Sequence, residues 1–273
     1  MLKKRKLTFI VILALICSIT VLTGCSKNKN SGENLPSANS LITNKFAQSM
    51  ASGHYSQTIK STEMKQSSRD NGYFKGTNPI SMTYSLTNKD KTQGEQLWLT
   101  DSELYLFLEQ NKGKWIKNKS TADNFDPDQV TRRFKPSAYT ALNKAVAKHA
   151  IVKQTSTNYT VTYNGNDESV WKKLNSLIVD TLNTPGSQNM NVAQMVSAAQ
   201  VQNIHISYTV NKSSKMITKI DMKANFSVGD QYNFAWTSKF DELNTHSDLS
   251  VPANIQKDAI DVQKLKASQK ADN

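Results

Sequence analysis

Apolar and polar residues alternate with a period of two along two long parts of the chain. The first part covers residues 80–87, and the second extends from residue 204 to residue 236. Alternation of this kind predicts β-strands that bury one face and expose the other. The apolar positions are Ile80, Met82, Tyr84 and Leu86 in the first part, and Ile204, Ile206, Tyr208, Val210, Ile220, Met222, Ala224, Phe226, Val228, Tyr232, Phe234 and Trp236 in the second. Sustained pairing with one apolar face predicts a curved antiparallel sheet.

Three shorter apolar segments, 96–99, 103–109 and 114–117, follow the first part and are separated by turn-forming residues. They predict a meander of short strands. Both faces of segment 103–109 are apolar, so we expect this strand to be central and covered on both sides. Within the second part, Gly229-Asp230 predicts a two-residue hairpin turn.

Apolar residues spaced three or four positions apart predict helices before and between the two β regions. The first helix precedes Gly53, and three more are expected in the middle of the chain, where Ser137 caps one and Asn166 or Asp167 caps the next. A strand with Tyr159, Val161 and Tyr163 separates these two. The apolar helix positions are Leu41, Ile42, Phe46 and Met50; Tyr139, Leu142 and Val146; Val170, Trp171, Leu174 and Ile178, ending near Pro185-Gly186; and Val192, Met195, Val196 and Ala199. The pattern as a whole indicates an α+β fold.

The first 24 residues have the regions of a secretory signal peptide. Basic residues at positions 3–6 precede an apolar run, 7–21, that is shorter than the ~20 apolar residues of a membrane-spanning helix. Residues 22–25, LTGC, resemble the bacterial lipobox, in which the cysteine receives a diacylglyceryl group and becomes the new N-terminus. The resemblance implies lipidation of Cys25, with palmitate-like chains that anchor the protein to the membrane. The alternative is a secreted protein with a cysteine at its cleavage site.

The remaining chain divides into a lipidated cysteine with a flexible linker (25–39), a folded domain (40–257) and a polar tail (258–273). The sequence has two cysteines. Because Cys17 lies in the leader and Cys25 is expected to carry lipid, no thiol is left for a disulfide, a metal site or catalysis.

The chain is basic, with 34 Lys and Arg against 22 Asp and Glu and a formal charge of +12. Residues 1–24 contain four basic and no acidic residues, so their removal leaves a charge of +8. The basic residues, including Arg132-Arg133 and Lys172-Lys173, are scattered, and we interpret them mainly as a solvated surface. Nucleic-acid binders present a clustered basic face instead, so we expect no nucleic-acid partner.

Residues 41–50, the meander from Trp98 to Trp115, and residues 204–240 with a turn at Asn211-Lys212-Ser213 resemble the lipoprotein carrier fold of LolA, LolB and the mycobacterial LppX and LprG proteins. This resemblance spans most of residues 40–255. It implies an incompletely closed β-barrel with helices packed on its concave face, which in several members holds acyl chains.

Motifs for enzymatic or metal chemistry are missing. The four histidines lie in separate segments, and His205 alternates with apolar neighbours, which predicts a surface position. Asp123, Asp126 and Asp128 lack the glycine and glutamate of a calcium loop, and we interpret them as a solvated loop. There is no nucleophile elbow, phosphate loop or dinucleotide fingerprint. We therefore predict no catalytic residue, metal or cofactor.

The leading hypothesis is a monomeric, lipid-anchored extracytoplasmic protein, on a Gram-positive surface, that binds a hydrophobic ligand in an apolar concavity. The expected lining is Met82, Tyr84, Leu86, Ile206, Tyr208, Met222, Phe226, Phe234 and Trp236. The same residues can instead pack against the helices as a closed core. The protein would then be a surface interaction module that binds a protein or an anionic wall polymer. Hydrolase activity is a third alternative, for which the sequence offers no nucleophile.

Overall fold

The computed structural model describes residues 35–89, 91–108, 113–121, 125–182 and 190–264. The predicted signal peptide, Cys25, Asp123, Pro185-Gly186 and the end of the predicted tail lie outside these residues. The strands in the described residues are β1 (Ser52–Ser61), β2 (Gln66–Lys75), β3 (Ile80–Asn88), β4 (Lys91–Leu99), β5 (Glu103–Leu108), β6 (Trp115–Lys119), β7 (Ile151–Gln154), β8 (Asn158–Gly165), β9 (Gln200–Asn211), β10 (Ile217–Val228), β11 (Tyr232–Asp241) and β12 (Ile260–Asp261). The helices are α1 (Ala38–Thr43), α2 (Phe46–Ser49), α3 (Pro127–Thr131), α4 (Thr140–Ala147), α5 (Glu168–Leu182), α6 (Met190–Ser197) and α7 (Ala253–Asp258), with 3-10 turns at Arg132–Phe134 and Pro136–Tyr139.

All twelve strands belong to one sheet, in the order β12-β6-β5-β4-β3-β2-β1-β11-β10-β9-β8-β7. Neighbouring strands are antiparallel, except that β12 runs parallel to β6. Within the described residues β7 and β12 are the two edges, so the sheet is not closed into a barrel. The prediction of an α+β fold with an open, antiparallel sheet is confirmed.

Helices α4 and α5 and the 3-10 turn at Arg132–Phe134 pack against buried residues of the sheet. The ring of Phe134 lies 4.8 Å from the rings of both Tyr55 and Phe74, and the ring of Trp171 lies 5.2 Å from that of Phe226. The apolar stripes of α4 and α5 are buried in the same core as the sheet residues. Burial of one face of the sheet is the physical reason for the period-two pattern in β3 and β9–β11.

Strands β1 and β2 contact each other along their full length but carry little apolar alternation. Their inward positions include Gln57, Ser68 and Asp70, all buried. At Gly72 the backbone of β3 comes so close that an added Cβ would lie 1.8 Å from the carbonyl oxygen of Ser81. This close approach requires glycine, because any side chain would collide with backbone.

Two helix starts differ from the predictions. The expected first helix is divided into α1 and α2, because Lys45 has a non-helical backbone and its Nζ donates a hydrogen bond to the Ser214 carbonyl. Ser137 lies inside a 3-10 turn and does not cap α4, which begins at Thr140. Asp167 precedes α5 as predicted, and its carbonyl accepts hydrogen bonds from two amides in the first turn of that helix.

The β10–β11 hairpin has a three-residue loop, so the prediction of a two-residue turn is wrong. Val228 pairs with Tyr232, which leaves Gly229, Asp230 and Gln231 in the loop. Gly229 has a φ of +57°, a left-handed conformation that glycine adopts without steric cost. The turn at Gly229 is confirmed, but the strand register leaves three residues in the loop instead of two.

Strand β5 is covered on both faces, as predicted, although it is third from the β12 edge and not central. Leu104 joins the main core, whereas Tyr105 packs on the opposite face with Val251 and Ile255. The latter two residues come from the segment around α7. Strand β12, which pairs with β6, lies in the segment predicted to be a polar tail.

The described residues from Pro36 onward form one compact unit. None of the helices in the described part of the chain is long and apolar enough to cross a membrane.

Candidate functional site

The nine residues predicted to line a ligand site all lie on the same face of the sheet. The strand register places Ile206 beside Met222 and Phe226 beside Phe234. The row of residues that contains Ile206 and Met222 continues across β11, β1 and β2 to β3. Strand pairing therefore brings together residues from β3, β9, β10 and β11 that are up to about half the chain apart in sequence.

This face is filled in the described structure. Eight of the nine residues are buried, and Leu86 is half-buried. The hydroxyl of Tyr208 donates a hydrogen bond of 2.8 Å to Oδ1 of Asn143 on α4, and Trp171 on α5 packs against Phe226. Tyr208 and Phe226 thus belong to the contact layer between sheet and helices, and a ligand can occupy this layer only if the helices move away from the sheet.

A buried ion pair crosses this layer. Nη1 of Arg133 donates to Oδ2 of Asp70 at 2.8 Å, and Nη2 donates to the carbonyl oxygen of Thr181 at 3.1 Å. Tyr139 donates to the carbonyl oxygen of Arg133 at 2.8 Å. Our interpretation of Arg133 as a solvated surface residue is wrong, because its side chain is only 3% exposed. A carboxylate on β2 compensates the buried charge.

Burial controls the protonation of groups in this layer. It raises the pKa of Asp70, and the guanidinium of Arg133 offsets only part of that effect. Burial also raises the pKa values of Tyr55, Tyr139 and Tyr208 well above the ordinary range of tyrosine. The three hydroxyl groups therefore keep their protons at neutral pH and remain hydrogen-bond donors.

Two small spaces touch the layer. An enclosed cavity of about 10 Å³ has roughly the room that one water molecule needs, and it is lined by Tyr55, Gln57, Arg133, Tyr139, Leu177, Thr181, Met222, Trp236, Ser238 and Phe240. A cleft of about 20 Å³ reaches the surface between β1, β2, β3 and β11. Its apolar side is formed by Ile59, Leu86 and Phe234, and its polar side includes Lys60 and Gln66. The cleft is where the apolar face meets solvent.

A larger groove of about 300 Å³ lies on the other side of β5, near α7. It is of a size that small ligands occupy in other proteins. Asp101 and Glu103 contribute carboxylates, which accept hydrogen bonds from Asn78 and from the buried Tyr105, respectively. The groove lining is Asn78, Pro79, Thr100, Asp101, Glu103, Tyr105, Leu249, Ser250, Val251 and Gln256. No sequence pattern predicts this groove, because residues 100–102 have only the composition of a turn and residues 249–256 are distant in sequence.

The structure brings together two of the four histidines. His54 and His246 contact the ring of Tyr73, at centroid distances of 5.0 and 4.7 Å. His54 pairs with Asp241 at 2.7 Å, and His246 pairs with Glu242 at 2.8 Å. Within the described ranges, no three His, Cys, Asp or Glu residues are grouped so that they could hold a metal ion.

His205 is partly exposed, and its Nδ1 lies 2.6 Å from Oδ1 of Asn164. Of the three aspartates considered as a loop, Asp126 accepts a hydrogen bond from the amide of Asp128 at the start of α3, and Asp128 pairs with Lys135. Both carboxylates thus have structural partners at the surface.

Comparison with known proteins gives one match to a protein family. The model of a family of unknown function, DUF6612, matches residues 26–260. A search of curated proteins finds no match. Among eleven matching solved chains is a LolA superfamily protein from Nitrosomonas europaea, with 10% identity and a TM-score of 0.25 over 81% of this chain and 97% of that one. At this TM-score the resemblance to the carrier fold stays a prediction. The match covers most of the length of this chain, and the chain therefore belongs to the DUF6612 family.

Proposed function

We propose that this protein is a non-enzymatic, membrane-anchored extracytoplasmic lipoprotein that binds a hydrophobic ligand between its sheet and its helices. The observation that supports ligand binding is the single apolar face shared by β3 and β9–β11, which ends at the surface in the cleft beside Leu86 and Phe234. An apolar chain that enters there would contact Ile59 and then the residues buried beneath α5. Lys60 and Gln66 form the polar rim of this entrance.

Binding requires the helix layer to separate from the sheet. Helix α5 is connected to the sheet through Arg133, which bonds both Asp70 and the Thr181 carbonyl, and through Trp171. These interactions stabilise the closed form. We propose that a ligand with enough apolar surface replaces the packing of α5 on the sheet, and that burial of the ligand's own surface offsets the free energy of separating the two layers.

The test of ligand binding is native mass spectrometry with organic extraction on residues 26–273 purified from a bacterial host. We expect a co-purifying lipid, and Phe226→Trp should reduce its amount because the larger ring fills the layer. Ile151→Ser is the matched control, since Ile151 is 64% exposed on the edge strand β7. A bare mass, together with full protection of the core amides from hydrogen exchange, would contradict ligand binding.

The proposed anchor is Cys25, which precedes the family match at residue 26. Two acyl chains bind a membrane far more firmly than a single one, whose binding is reversible. We expect the wild-type protein to fractionate with membranes and to incorporate labelled palmitate in a Gram-positive host. Cys25→Ala should abolish the labelling with palmitate. The variant should no longer be recovered from the membrane fraction as a processed, lipidated protein.

A second candidate function is a surface interaction module, which is favoured by the filled core and by the groove around Asp101 and Glu103. In that case the groove would receive a side chain of a protein partner. Binding through these carboxylates would weaken with salt and with Asp101→Asn, and no lipid would be extracted.

Hydrolase activity is the third alternative. A panel of esterase and glycosidase substrates tests it, and we expect no turnover.

A further inference from the structure

The hydrogens on Nε1 of Trp236 and on the hydroxyl of Tyr55 are buried and have no hydrogen-bond acceptor within the described residues, and Oδ1 of the buried Asp70 has no donor there. Trp236 and Tyr55 line the same enclosed cavity between the sheet and α5. Buried polar groups are nearly always hydrogen-bonded in folded proteins, so an unpartnered pair in one cavity indicates a missing acceptor.

The cavity is rich in donors. The indole nitrogen of tryptophan can only donate, and burial keeps the Tyr55 hydroxyl protonated by raising its pKa. Arg133 adds positive charge, with its Cζ 5.9 Å from the centre of the Tyr55 ring. Its carboxylate partner, Asp70, is not among the residues that line the cavity. The chemical group that suits these donors is an oxygen acceptor, such as an oxygen of a carboxyl group.

The cavity also lies in the path of the proposed ligand. Trp236 stands beside Ile59 in the pairing of β1 with β11, and Ile59 lines the surface cleft. Leu177 and Thr181 of α5 cover the cavity from the helix side. Movement of α5 away from the sheet would therefore join the cleft and the cavity into one space.

We propose that Tyr55 and Trp236 form a subsite for the carboxyl group of a fatty-acid ligand. In the closed form, one water molecule fills the cavity and accepts hydrogen bonds from both donors. When α5 moves, the carboxyl oxygen of the ligand replaces this water, and its apolar chain extends along the apolar face towards Leu86. This inference rests on the proposed function, because it specifies which end of a hydrophobic ligand the layer recognises.

The experiment compares two fluorescent probes on the chain without its leader: cis-parinaric acid, which has a carboxyl group, and diphenylhexatriene, a hydrocarbon. Tyr55→Phe and Trp236→Phe each remove one donor and keep an aromatic ring. We expect each variant to raise the Kd of the acid about fivefold, as the loss of one hydrogen bond predicts, and to leave the Kd of the hydrocarbon unchanged. Tyr163→Phe is the matched control, because its hydroxyl already bonds Asp167 and does not line the cavity.

The outcomes separate the subsite from the proposed function. If both probes bind the wild type but the two variants weaken them equally, or weaken neither, the subsite is overturned and hydrophobic binding stands. If the wild type binds neither probe, hydrophobic binding fails and the subsite fails with it. Thermal unfolding of each variant checks folding, and we expect both variants to remain folded at the temperature of the binding assay, because each keeps an aromatic ring in the core.

Discussion

Arg133 and Asp70 form an ion pair at 2.8 Å in which each side chain is only 3% exposed. Asp70 lies on β2 and Arg133 in the 3-10 turn after α3, so 63 positions of sequence separate them. The second guanidinium nitrogen reaches the carbonyl of Thr181 near the end of α5. One side chain thus connects the sheet to two helical segments.

Breaking this pair should be strongly destabilising. Arg133→Met leaves the Asp70 carboxyl buried without its partner, and we expect a loss of about 3–5 kcal/mol in the free energy of unfolding measured with urea. The double variant Asp70→Leu with Arg133→Met should recover most of that loss. Arg132→Ala is the control, because Arg132 is 50% exposed in its pair with Asp180 and should cost less than about 1 kcal/mol.

The loss in Arg133→Met should depend on pH. Without the guanidinium, burial raises the pKa of Asp70 further, so the folded state holds a proton that the unfolded state releases. Stability is then retained at low pH and decreases as the pH rises. The variant should be closer to the wild type at pH 5 than at pH 8, and an equal deficit at both values would contradict this account.

The free energy of unfolding should decrease at alkaline pH. Burial raises the pKa values of Tyr55, Tyr139 and Tyr208, whereas in the unfolded chain they titrate near their ordinary value of about 10. Stability is therefore complete below pH 10 and decreases above it, by up to about 1.4 kcal/mol per pH unit for each tyrosine. Urea unfolding at several pH values between 9 and 11.5 measures the slope. Tyr208→Phe should make the slope shallower by one proton.

Gly72→Ala should disrupt the pairing of β2 with β3. The new Cβ would meet the Ser81 carbonyl at 1.8 Å, and backbone cannot move aside as a flexible side chain does. We expect a loss of at least about 3 kcal/mol, the upper end for overpacking. Gly229→Ala provides the comparison: its Cβ has free space, so only the φ of +57° costs energy, about 1 kcal/mol. Similar losses in the two variants would contradict the close approach at Gly72.

Phe226→Ala should create a cavity at the contact between sheet and helices. The Phe226 ring is fully buried, stacks on Phe234 at 5.5 Å and contacts Trp171. Its removal should cost about 3–5 kcal/mol, and the melting temperature should fall accordingly. If the loss is below about 1 kcal/mol, the helix layer is not packed on Phe226 in solution.

The strands β9, β10 and β11 were predictable because every second residue on their buried face is apolar. Ile206, Met222 and Trp236 are examples of this pattern. Strands β1 and β2 were not identified individually, since their inward positions include Gln57, Ser68 and Asp70, which are polar. Asp70, for example, is buried together with Arg133, a partner 63 positions away in sequence.

The candidate site was likewise predictable only in part. The apolar face could be predicted from periodicity, but whether it is open depends on the positions of α4 and α5, which no local pattern specifies. Arg133 was misassigned because a basic residue beside Arg132 has the same local signature whether it is solvated or paired with a distant carboxylate. The groove at Asp101 combines residues about 150 positions apart, a distance that periodicity does not bridge.

The pairing of β1 with β11 has a consequence for how the chain acquires its structure. Tyr55 pairs with Phe240 and Ile59 pairs with Trp236, so the centre of the sheet joins the first and the last long strands of the chain. The strands on either side of this seam are made largely of neighbours in sequence, which can form as local hairpins. During synthesis, β1 therefore lacks its β11 partner until residue 241 has emerged, and the core can close only after that.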